Sequence, residues 1–194
     1  MPHRGLAAAK TRLASALDPQ QREELARELL DRVLRTARQA CTDVVVISPS
    51  AALEEVVAAS GARLAVQRGM GLNAGLDQAR SDALFDFVDT LVVLHGDLPN
   101  LHVEDIGTML AALPPDGSAG VAIAPDRAGT GTNALALRPP GVINFRFGEG
   151  SFAAHMAEVE RAGVALSAVD RAGLAFDLDT PDDLERWLKL GDAT

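Results

Sequence analysis

Leu91-Val92-Val93-Leu94-His95-Gly96-Asp97-Leu98-Pro99 decides the fold. Four aliphatic residues ended by Gly and Pro suit a strand covered on both faces. Asp97 then stands at the strand's exit. Open, mostly parallel sheets bind ligands beyond the carboxyl ends of their strands, and an Asp there can hold a metal against a phosphate. Gly-Asp-Leu-Pro is equally an ordinary turn on composition alone, so the rest of the chain has to separate the two readings.

Working outward, further apolar runs alternate with helical patterns. Val44–Ile47, Arg63–Val66, Gly120–Ala124 and Asn133–Leu137 read as strands. Asp18-Pro19 opens a helix with Leu25, Leu29, Val33 and Ala37 at helical spacing. Other helices are expected from Ser50 to Ala59, from Ala74 to Phe85 with Asn73 as N-cap, and from Val103 to near Pro114. Two more follow, from Ser151 as N-cap through Ala162, and from Pro181 onward. This is the pattern of one α/β domain over residues 1–194, three-layered with a mostly parallel sheet.

Composition narrows the function. Hydrophobic residues make up 47% of the chain, which excludes disorder. No run reaches the roughly 18–20 apolar residues of a membrane span. No long apolar segment follows Met1, so a secretory leader is not expected. Cys41 is the only cysteine, so an internal disulfide is impossible and a cytoplasmic setting is the default. The net charge of -9 opposes a nucleic-acid binder with a broad basic face. It leaves room for a small phosphorylated substrate held by a few cations and a metal. No Gly-x-Gly-x-x-Gly follows a first strand, which disfavours a dehydrogenase.

Five stretches carry candidate chemistry. Arg4 to Ala14, with Lys10 and Arg12, is a small-residue basic loop suited to a triphosphate, or else a solvated helix start. Asn73 follows Gly69-Met70-Gly71-Leu72 and is placed to cap a helix, to read a nucleoside, or both. Pro125 to Asn133 and Phe145 to Phe152 offer N–H groups and hydroxyls without net charge, suited to an anion, although the first also reads as a hairpin. His155 lies one turn beyond Ser151 on the same helix face, as a ligand contact or a packed surface histidine. Asp177 and Asp179 alternate with Phe176 and Leu178. An extended strand would set both carboxylates on one side, where a cation between them relieves their repulsion.

In these segments, taken in order, the chain resembles the guanylyltransferases of coenzyme F420 biosynthesis, nucleotidyltransferases with a glycosyltransferase-A-like fold. The matching motifs are Ala9-Lys10-Thr11-Arg12-Leu13-Ala14, Gly71-Leu72-Asn73, Gly96-Asp97-Leu98-Pro99, Gly131-Thr132-Asn133-Ala134-Leu135, Phe147 to Phe152 with His155, and Asp177 to Leu184. The resemblance implies attack of a three-carbon phosphate on the α-phosphorus of GTP, with pyrophosphate leaving. Phosphoenolpyruvate is the favoured acid, with 2-phospho-L-lactate and 3-phosphoglycerate as variants. It further implies that Thr132, Gly148 and Ser151 hold the acid. Asp97 and Asp177, with Asp179 close by, would hold Mg2+. Lys10 and Arg12 would meet the triphosphate, and Asn73 would lie near the guanosine. Asp97, Lys10 and Arg12 are thus the expected catalytic set. A homodimer is allowed, though no residue argues for it.

The family sets an apolar strand directly before its Lys-Thr-Arg-Leu loop. Here Met1 stands almost in front of that loop, so the first strand is expected to be missing. Two rival readings are a molybdopterin or sugar nucleotidyltransferase and a non-catalytic nucleotide-binding regulator.

Overall fold

The computed structural model describes residues 10–81 and 88–191. Helix α1 (Pro19–Ala40) begins where expected. The Asp18 carboxylate accepts the Gln21 N–H and the Gln21 side chain accepts the Asp18 N–H, each at 2.9 Å. Two otherwise orphaned donors are thereby satisfied. Its buried stripe is Leu25, Ala26, Leu29, Val33, Leu34 and Ala37.

Strand β1 (Val45–Ser48) pairs in parallel with β2 (Arg63–Val66), joined by a 3-10 turn at Ala51–Leu53 and helix α2 (Glu54–Ala59). Helix α3 (Leu72–Ser81) leads towards β3 (Leu91–Leu94). The part of the expected 74–85 helix beyond Ser81, like Arg4 and the rest of the basic loop before Lys10, lies outside the described residues. Helix α4 (Val103–Ala111), β4 (Gly120–Pro125), β5 (Thr132–Arg138), α5 (Ser151–Ala162), β6 (Ala165–Ala168), α6 (Ala172–Ala175) and α7 (Pro181–Gly191) follow.

The main sheet runs β3-β5-β4-β6. β5 is antiparallel to both β3 and β4, and β6 is parallel to β4. Three of its four strands therefore share one direction, with β5 reversed among them. The Pro125–Asn133 stretch is the hairpin joining β4 to β5. Side-chain alternation divides the core. Ala122, Ala124, Ala134 and Ala136 face one side and pack with Val33, Ile106 and Met109 of α1 and α4. Val121, Ile123, Leu135 and Leu137 face the other, with Phe145, Phe147 and Val159. Small residues on the first face let two helices approach closely, which completes the three layers.

Among the described residues, nothing hydrogen-bonds β1 to β3. A largely apolar cavity of about 670 Å³ lies between them, lined by both strands, α1 and α3, with Lys10 and Asp97 also on its wall.

The loop carrying Asp177 is fixed by close approach rather than by a ladder. The buried carboxylate of Asp105 accepts the His102 N–H at 2.9 Å and an Arg171 bond at 2.7 Å. A Cβ on Gly173 would stand 2.1 Å from that carboxylate and 2.5 Å from the Asn100 carbonyl oxygen. Backbone must move to admit it, so Gly173→Ala is expected to cost about 1–3 kcal/mol. Thermal melting checks this, since each kcal/mol lowers the midpoint by about 2–4 °C in a domain of this size.

Candidate active site

Asp97 follows β3 and a Gly, so its backbone leaves the sheet while its side chain stays at the sheet's end. Its carbonyl accepts the Leu178 N–H at 3.1 Å, which docks the 176–179 segment against it. That segment is extended, but it is not a paired strand as the alternation suggested. Leu178 is fully buried, and a single hydrogen bond with that anchor replaces a ladder. The flanking Asp177 and Asp179 are thereby brought towards Asp97.

Lys10 closes the group. Its ammonium donates to Asp97 and, at 2.7 Å, to Asp179, with only 6% of the side chain exposed. Burial works against its charge, but the two carboxylates outweigh burial and hold its pKa above the ordinary value. Arg12 is exposed and stands 3.8 Å from Asp179. The pair expected to face a triphosphate is therefore aimed first at carboxylates. Asp177 shows the surplus of negative charge. Burial raises its pKa, and repulsion from Asp97 and Asp179 adds to the rise against a hydrogen bond from Asn133.

The buried Oδ1 of Asp97 has no hydrogen-bond partner. An orphaned carboxylate oxygen beside a second carboxylate of raised pKa fits a hard divalent cation. Magnesium commonly takes one or two carboxylates with phosphate oxygens completing its shell. Among the described residues, no group of three or more acidic, His or Cys side chains forms a protein-only cage. The three-carboxylate set of Asp97, Asp177 and Asp179 narrows because the Lys10 ammonium lies between Asp97 and Asp179. Asp97 and Asp177 remain the pair suited to the ion.

Asn133, beside Thr132 on β5, ties this acidic end to its neighbour. Its amide donates to the Leu174 carbonyl at 3.0 Å and to Asp177 at 3.3 Å. The sequence reading gave Asn133 no role of its own; its place in the Gly131-Thr132-Asn133-Ala134-Leu135 motif was the signal that could have found it.

Thr132, Ser151 and His155 form a second, buried group. The Thr132 N–H donates to Ser151 Oγ at 2.9 Å, and Thr132 Oγ1 lies 3.1 Å from His155 Nδ1. Gly148, exposed and at φ 130°, accepts the Ser151 N–H. Thr132, Gly148 and Ser151 thus meet, as expected. Ser151 is not the N-cap of α5: Gly150, at φ 66°, takes that place, and Ser151 is the first helical residue. Its hydroxyl is turned to β5 instead of down its own helix.

The 125–133 loop presents fewer bare N–H groups than its composition suggested. Asp126 accepts the Thr130 N–H on its side chain and the Gly129 N–H on its carbonyl, and Ser151 takes that of Thr132. Asn73 also departs from expectation. It lies inside the first turn of α3, and its amide oxygen and nitrogen pair with the Phe147 N–H and carbonyl at 2.8 and 2.9 Å. A two-way bond to a distant backbone displaces capping because it satisfies two buried groups at once. His155 is not a surface residue: it is fully buried, with its ring edge-on to Phe147 at 4.8 Å between centroids.

Residues 1–194 match the family described as "Guanylyl transferase CofC like". The chain belongs to that family. It is 45% identical over 188 residues to the phosphoenolpyruvate guanylyltransferase of Sphaerobacter thermophilus, covering 95% of this chain and 89% of that one. It is 32% identical over 187 residues to the 2-phospho-L-lactate guanylyltransferase of Methanothermobacter thermautotrophicus, covering 96% and 81%. Its fold is similar to that of a chain from Desulfovibrio desulfuricans described as a nucleotide-diphospho-sugar transferase. The TM-score is 0.77 at 22% identity, over 94% of this chain and 81% of that one. As a CofC-like guanylyl transferase the chain has the three-layer α/β fold read from its strand pattern, in the nucleotidyltransferase form that the resemblance implied. No helix among the described residues is long and apolar enough to cross a membrane.

Proposed function

We propose that this chain transfers GMP from GTP to phosphoenolpyruvate in the cytoplasm, a step of coenzyme F420 biosynthesis. A phosphate oxygen of the acid forms the new bond to the α-phosphorus. The bond from that phosphorus to the α–β bridging oxygen breaks, and pyrophosphate leaves with the electron pair. The observation that carries the reading is the convergence of Asp97, Asp177 and Lys10 at one end of β5, with the Thr132–Ser151 hydroxyls beginning the same strand. Asn133 joins the two groups.

The attacking phosphate is already an anion, so no general base is needed. The protein's work is to hold two anions in line and offset their charge. Lys10 supplies a fixed cation beside Asp97, and Arg12 an exposed one that can swing towards the triphosphate. Thr132, Ser151 and the Gly148 backbone offer uncharged contacts to the acid. Asn73 places the α3 end of the site, where the guanosine is expected. Mg2+, held by Asp97 and Asp177, would neutralise phosphate charge in the transition state.

Phosphoenolpyruvate leads because the relative of that name is the more similar of the two; 2-phospho-L-lactate is the second candidate. The test is pyrophosphate release from GTP, with Mg2+ and each of phosphoenolpyruvate, 2-phospho-L-lactate and 3-phosphoglycerate. Release with one acid and with GTP over other nucleotides is the expected result. No release with any acid would favour a non-catalytic nucleotide binder.

A further inference from the structure

We infer that His155 is a positioning residue of the acid site: it fixes the Thr132 hydroxyl as a hydrogen-bond donor towards the ligand. The inference rests on the acid-site reading above. Its basis is the direction of three hydrogen bonds. The Arg146 backbone N–H lies 3.0 Å from His155 Nε2. A backbone N–H can only donate, so Nε2 accepts and carries no hydrogen. A neutral imidazole must then carry its hydrogen on Nδ1. That nitrogen lies 3.1 Å from Thr132 Oγ1. Having no free lone pair, Nδ1 cannot accept from Thr132, so the threonine hydrogen is turned elsewhere. Ser151 Oγ is fixed in the same sense, because it accepts the Thr132 N–H and keeps its own hydrogen. The pair is left with two hydroxyl hydrogens and no charge, which suits an anionic oxygen.

The arrangement is braced from outside. Glu158, on the same helix as His155, accepts bonds from Asn144, Arg146 and Arg161. This holds the 144–146 segment over the ring and keeps the Arg146 N–H on Nε2. The neutral state has a cause in the same packing: His155 is fully buried and faces Phe147 edge-on.

The experiment uses the wild type, four variants and two substrate titrations. Thr132→Val comes first. A raised KM for the acid keeps the acid-site reading, whereas an unchanged KM sinks that reading whatever His155 does. His155→Asn keeps a donor at the Nδ1 position and loses the acceptor for Arg146. His155→Gln keeps the acceptor and loses the donor. If His155 acts through Thr132, Gln raises the acid KM about tenfold, as loss of one oriented hydrogen bond predicts. Asn stays within about threefold, GTP KM is unmoved, and Gln adds nothing in the Thr132→Val background. A purely structural role in anchoring the 144–146 segment predicts the reverse order, and that order overturns the inference. The wild-type protein gives an independent readout that needs no variant to fold. Ring 15N shifts should show His155 as the Nδ1–H tautomer, and the Nε2–H tautomer would overturn the inference.

Discussion

Replacing Asp97 by asparagine is expected to lower turnover by roughly 10³-fold while the protein stays folded. A cation at a transferring phosphoryl group contributes several kcal/mol to the transition state, and each 1.36 kcal/mol is about tenfold in rate. Asparagine keeps the shape and one oxygen of Asp97 but removes the charge the ion needs. The fold tolerates the change for two opposing reasons. Lys10 loses one carboxylate partner but keeps Asp179. Asp177, whose pKa is raised in part by Asp97, is relieved of a repulsion. Pyrophosphate release measures turnover, and thermal melting with and without Mg2+ measures fold and ion binding together. The wild type should gain stability from Mg2+ and the variant should not. Normal turnover by the variant would remove Asp97 from the mechanism.

Acidification from about pH 6.5 to about pH 4 is expected to remove on the order of 3 kcal/mol of folding stability through His155 alone. Burial is the first cause of its low pKa, pushed down to about 4; Arg146 adds to the drop, and Glu158 and the Ser151 carbonyl oppose it. The folded state therefore keeps the ring neutral where the unfolded chain protonates it. The unfolded state binds more protons between those two pH values, so stability rises with pH across that window. It is fully present above about 6.5. Asp177 acts with the opposite sign. Its pKa is raised, first by burial, so acidification relieves a buried charge. Urea midpoints measured from pH 4 to 7 should fall on the acid side, and His155→Gln should flatten the slope. An equal slope in that variant would mean the ring is not the titrating group.

The elements that the sequence made legible are those with a local cause. The Asp18 cap, the Leu91–Leu94 run and the small and large faces of β4 and β5 depend on neighbours along the chain, and periodicity exposes them. Asp97, and separately the pair Asp177 and Asp179, were readable because each ends or punctuates an apolar run; only the family resemblance joined them into one set. What stayed hidden depends on distant backbone. A capping Asn and one clamping Phe147 have the same spacing from a helix start, so Asn73 could not be resolved. His155 looked like a surface residue because the helix pattern does not show the 144–146 segment folded over it. Lys10 was marked by its place in a small-residue basic loop, but nothing local said that its ammonium would lie between Asp97 and Asp179.

The clamp of Asn73 on Phe147 has a thermodynamic consequence. Phe147 touches the His155 ring edge-on, and that ring bonds Thr132, so the start of α3 is mechanically continuous with the other hydroxyl-bearing end of the molecule. Whatever occupies one end and shifts this chain of contacts changes the affinity of the other. Linkage requires any such effect to be mutual and equal in free energy: two ligands bound at the two ends would alter each other's dissociation constants by the same factor.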